Sequence, residues 1–121
     1  MLSPLLREGN VRFASAALVV GVLGAGCFPK AAPAPPAVSA SGVARAAARW
    51  PGVTAEALSM GRDRFLAKCN ACHAYPDLPA IAEERWPAIV ERMAKKSSLG
   101  AEERDAVLRY VLASRQEQGG P

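Results

Sequence analysis

One short stretch holds most of the chain's metal- and thiol-chemistry: Cys69-Asn70-Ala71-Cys72-His73. Two cysteines with two residues between them, followed at once by histidine, read as a c-type haem attachment site. Each thiol adds across one vinyl group of the ring and leaves a thioether. The two vinyls lie along one edge of the ring, so a single turn of chain reaches both. His73 then gives an imidazole nitrogen to iron as the proximal ligand. A thioredoxin-type pair would need a βαβ pattern around the motif, and none is visible. A structural zinc site needs four Cys or His ligands. The chain has three cysteines and one histidine, and the third cysteine, Cys27, has another role below. The bland alternative is a pair of buried free thiols beside a surface histidine.

The elements that must position this motif run from Trp50 onward. Pro51-Gly52 is a turn signal. Thr54 caps a helix starting at Ala55, with Glu56 in the first turn favoured by the helix dipole. Leu58, Gly61 or Arg62, Phe65 and Cys69 recur at helical spacing. Gly61 costs about 1 kcal/mol against alanine in a helix interior, a cost that close approach of another helix would offset. The plainer reading is a core phenylalanine beside an incidental glycine. Ala74 to Pro79, with two prolines and an aspartate, reads as loop.

A second helix is expected over Glu84 to Lys96, with Pro87 at or near its first turn. Trp86, Ile89 or Val90, and Met93 fall on one face, the face expected to cover the ring. Trp86 is a packing aromatic whose indole N–H is a candidate donor to a haem propionate. Lys95 to Gly100 is a connector, with Gly100 a fair N-cap for the last helix. That helix runs about Ala101 to Ser114. Val107, Tyr110 or Val111, and Ser114 form one face, and Leu108 and Leu112 widen it. The tail from Gln116 to Pro121 is expected to fray.

From Trp50 to Arg115 these features resemble a small, single-haem, class I-type cytochrome c. The resemblance rests on the attachment motif, Gly61 and Phe65 before it, Met93 after it, and Val107 and Tyr110 on the last helix. It implies an all-α fold of three main helices around one covalently held haem c. It implies that Gly61 and Phe65 cross the C-terminal helix at a steep angle. It implies that a proline carbonyl, of Pro76 or Pro79, accepts the second N–H of His73 and so fixes the ring. It also implies methionine opposite histidine on iron. Met93, twenty residues after His73, is the candidate. Met60, a lysine, or an open sixth position are the alternatives. Methionine also fills core gaps without further purpose.

The leader supports an exported protein. Arg7 and Arg12 form a positive region, and Phe13 to Ala25 is an apolar run of the kind found in export signals. It is too short for a comfortable membrane span, which takes about 20 residues. The run ends Leu23-Gly24-Ala25-Gly26-Cys27, which resembles a bacterial lipobox with its leucine one place further out than usual. Cys27 is then the lipidated first residue of the mature chain; an ordinary cleaved signal and a retained anchor are the alternatives. Haem c maturation outside the cytoplasm, implied by the resemblance, agrees with export. Residues 1–26 are therefore read as signal, 27–49 as lipidated Cys27 plus an Ala/Pro-rich tether, and 50–121 as the haem domain. The tether would be extended, at about 3.1 Å per residue where polyproline II forms, reaching roughly 60–70 Å. Ala44 to Ala48 is expected to form at most a stray helical turn.

Charge excludes nucleic acid. Five of the 15 basic residues and one of the 11 acidic ones precede Trp50, so the domain carries ten of each. A nucleic-acid surface would place its cations on the folded part. With the only histidine assigned to iron, no acid–base equipment remains for catalysis. The expected function is one-electron transfer between redox partner proteins, from a lipid-anchored domain facing the periplasm. The alternatives are a non-catalytic subunit of a larger oxidoreductase, and a haem sensor or small peroxidase if Met93 leaves iron readily.

Overall fold

The computed structural model describes residues 33–120; Cys27 and the leader lie outside them. Among the described residues all regular structure is helical. Helix α1 spans Ala40–Arg49, α2 Ala55–Lys68, α3 Trp86–Lys96 and α4 Ala101–Glu117, with a single 3₁₀ turn at Glu83–Arg85 leading into α3. None of these helices is long and apolar enough to cross a membrane.

Local chemistry sets the boundaries. The Thr54 hydroxyl accepts from the Ala57 amide at 3.2 Å, so α2 starts where its cap dictates. Pro87 occupies the first turn of α3, where its missing N–H is harmless. Ser98 takes φ 56°, and the Leu99 amide bonds back to the Ala94 carbonyl at 3.0 Å, a helix end of the kind glycine usually supplies. Gly100 caps α4: its amide donates to the Glu103 carboxylate at 3.2 Å.

The core forms where α2 and α4 cross. Gly61 is buried against α4, and a Cβ there would lie 2.2 Å from the Ala106 carbonyl oxygen and 3.0 Å from the Tyr110 Cβ. The glycine thus permits backbone-to-backbone approach. Phe65 packs on Tyr110, with centroids 5.8 Å apart. Leu78, Trp86, Val90, Val107, Val111 and Leu112 complete this core.

The tether expectation needs correcting over residues 33–49. Helix α1 has ten residues where a stray turn was expected, capped by Ser39, whose hydroxyl accepts from the Gly42 amide at 3.1 Å. Its Ala46 is buried with Val53, Leu58 and Ala113. Among the described residues there are thus four α-helices where three were expected, and the folded unit begins before Trp50. The last helix also runs to Glu117 rather than Ser114.

Candidate cofactor site

Helix α2 ends at Lys68 and delivers the motif directly, with Cys69 as its C-cap. Cys69 is half-buried; Cys72 and His73 are exposed, and both thiols are free. Burial pushes the Cys69 thiol above its ordinary value, so it is neutral near pH 7.

Two adjoining cavities meet at the motif. The inner one, about 230 Å³, is lined by Phe65, Ile81, Trp86, Ile89, Val90 and Val107 among others, together with Cys69, His73 and Met93. The outer one, about 350 Å³, is lined by Lys68, Ala71, Cys72, Lys96, Ser97 and Ser98, together with the same Cys69, His73 and Met93. Taken together they fall within the usual size of a ligand pocket, about 300–1,000 Å³. No carboxylate lines either one.

The orientation of His73 is held by the backbone. Its Nδ1 lies 2.7 Å from the Ala74 carbonyl oxygen. A carbonyl can only accept, so Nδ1 carries the proton, and in the neutral ring Nε2 keeps its lone pair. That is the tautomer a metal-ligating histidine needs. The expectation that Pro76 or Pro79 would accept this proton is corrected to Ala74. The chain turns sharply after the motif and brings the next residue's own carbonyl to the ring. Pro76 instead lines the inner cavity.

Met93 comes from α3, whose expected face holds: Trp86, Ile89, Val90 and Met93 all line the inner cavity. Met60 does not share it. It is 37% exposed and lies in shallow hollows with Ala57, Arg109 and Asp63. Lys68 and Lys96 stand in the outer cavity beside Met93. Among the described residues no three His, Cys, Asp or Glu side chains gather as a metal cluster.

Trp86 is 1% exposed, and its Nε1 is buried with no hydrogen-bond partner among the described residues. An unpaired buried N–H costs about 1–3 kcal/mol. The residue also lines the inner cavity, so an acceptor on a bound group would relieve the penalty.

Several supporting residues carried no signal in the sequence. Tyr75 stacks on Phe65 at 5.6 Å and donates its hydroxyl to the Leu66 carbonyl at 3.1 Å, folding the loop after the motif back onto α2. Arg115 is 2% exposed, donates to the Ile81 carbonyl at 2.8 Å, and lies 3.8 Å from Glu83. It ties α4 to the segment entering α3, and Ile81 is part of the cavity wall.

No protein-family model, curated protein or solved structure matches the chain, so its function has to be argued from this geometry.

Proposed function

We propose that the chain is a membrane-anchored, periplasm-facing electron carrier of the cytochrome c kind, holding one covalent haem c. The observation that carries the reading is the meeting of Cys69, His73 and Met93 at the junction of the two cavities. A thioether-forming thiol, an imidazole with a free Nε2 and a thioether sulfur thus surround one mostly apolar space. When bound, haem c supplies a one-electron Fe(III)/Fe(II) couple, with a potential raised by Met/His ligation.

The chain's own residues have distinct parts in this reading. Cys69 and Cys72 would hold the haem covalently through two thioethers. His73 offers Nε2 to iron, with Ala74 fixing its plane. Met93 offers sulfur from α3. Ile89, Val90 and Val107 wall the inner cavity with apolar surface, which keeps water from the ring and lowers the local dielectric. The Trp86 N–H, which has no partner among the described residues, would donate to a propionate. With His73 and Met93 both held for iron, the chain would pass electrons and would offer substrate no place at the metal. Cys27 carries the lipid that holds the domain at the membrane, and redox proteins are its partners.

The test is export of the chain in a host that attaches haem c, followed by the pyridine haemochrome spectrum of wild type, Cys69→Ala and Cys72→Ala. The expected result is two-thioether haem in wild type and its loss in both variants. An unchanged spectrum in both variants overturns the proposal.

A further inference from the structure

The sequence leaves 22 residues, Phe28 to Arg49, between Cys27 and the expected domain start. The fold takes most of that length away. Pro35 is buried, and its carbonyl accepts from Arg62 Nε at 3.0 Å. The Pro36 carbonyl accepts from the Tyr110 hydroxyl at 2.9 Å. The Ser39 amide donates to the Glu117 carboxylate at 3.1 Å, the Ser39 hydroxyl donates to it as well, and Arg45 reaches it at 3.4 Å. Ala46 is then sealed against Val53, Leu58 and Ala113. Successive points along residues 35–46 are thus fastened to α2 and α4.

We infer that this segment is a clasp that turns a long tether into a short leash, and so confines the domain to the bilayer surface. The inference rests on the proposed lipid at Cys27. Only Phe28 to Ala34 then separates the lipidated residue from the first fastened one. Eight Cα steps span at most about 26–29 Å, against the roughly 60–70 Å of the unclasped tether. A domain of this length has a radius of gyration of about 12 Å, so its far side lies within about 60 Å of the anchor. The clasp and the cavity share one rigid crossing. Tyr110, which holds Pro36, packs on Phe65, and Phe65 lines the inner cavity. The site therefore cannot swing outward on a loose strand.

The test uses the full-length, haem-loaded, lipidated protein on a supported phosphatidylcholine bilayer. Three proteins are compared: wild type, an insertion of fifteen Gly/Ser residues between Ala32 and Pro33, and the combined variant Arg62→Gln, Tyr110→Phe, Glu117→Ala. Neutron reflectometry should place wild type within about 60 Å of the headgroups and the insertion variant further out. Trypsin should cut after Arg45 and Arg49 at least tenfold faster in the combined variant than in wild type. A wild-type layer as far out as the insertion variant, or equal cutting in wild type and the combined variant, overturns the leash while leaving the carrier reading intact. A Cys27 without acyl chain by mass spectrometry overturns the anchor and the leash together. Haem content, read from the same samples, reports on the site separately.

Discussion

Among the described residues the Ala74 carbonyl holds His73 Nδ1, and that contact decides which ring nitrogen is free for a metal. Cys69 is constrained in a different way. Its thiol is shifted upward by burial, whereas Cys72 is exposed. A raised pKa means less thiolate at a given pH, and the thiolate is the nucleophile. In the haem-free chain, iodoacetamide at pH 7 should therefore alkylate Cys72 before Cys69, and the gap should narrow as pH rises. Mass spectrometry of the peptides reads both rates, and equal rates at pH 7 would contradict the burial. Trp86 is constrained by an N–H that has no partner among the described residues. In the haem-loaded protein Trp86→Phe keeps most of the packing and loses the proposed donor, so it should destabilise by about 1–2 kcal/mol, measured by denaturant unfolding. At this scale the side chains singled out in the sequence are ones the fold brings together: Cys69, Cys72, His73, Trp86 and Met93 all line the two cavities. It was silent on Ala74, because any residue can present a backbone carbonyl.

Among the helices, the α2–α4 crossing depends on an absent side chain. Alanine is the better helix former by about 1 kcal/mol, yet Gly61→Ala would drive a methyl into the Ala106 carbonyl. Overpacking of about 1–3 kcal/mol should win, and a thermal melt should show a lower midpoint; a rise would mean the helices do not cross this closely. The start of α2 should respond to acid. The Glu56 carboxyl is held below its ordinary value by a backbone hydrogen bond and then by the Thr54 side chain. A depressed folded-state pKa stabilises above the unfolded value, and that contribution is lost as pH falls through the folded one. Glu56→Gln should therefore flatten the fall in melting temperature between about pH 5 and pH 3, with little effect near neutrality. Helices α2, α3 and α4 were legible because large apolar residues recur at helical spacing. Helix α1 was not: its buried positions are Gly42 and Ala46, small residues that give no hydrophobic signal, and four nearby prolines suggested extended chain. Its local signals, the Ser39 cap and an amphipathic spacing, were masked by those prolines, and the contact with Glu117 of α4 holds the helix in place.

For the molecule as a whole, the folded unit extends further toward the N-terminus than composition suggests. A haem-loaded fragment beginning at Trp50 loses the burial of Ala46 beside Leu58 and Ala113 and the hydrogen bonds to Pro35 and Pro36. It should unfold at lower denaturant than one beginning at Pro33, and equal midpoints would show that the clasp contributes nothing to stability. The architecture places a mostly apolar cavity between helices that the chain connects through the attachment motif. The claim on which the rest depends is that His73 and Met93 ligate one haem iron across that cavity. The visible spectrum of exported, oxidised Met93→Ala, set beside wild type and Met60→Ala, tests it most directly. The weak sulfur-to-iron band should be present in wild type and Met60→Ala and absent in Met93→Ala, with covalent haem retained in all three; a band that survives in Met93→Ala, or disappears in Met60→Ala, would contradict the account.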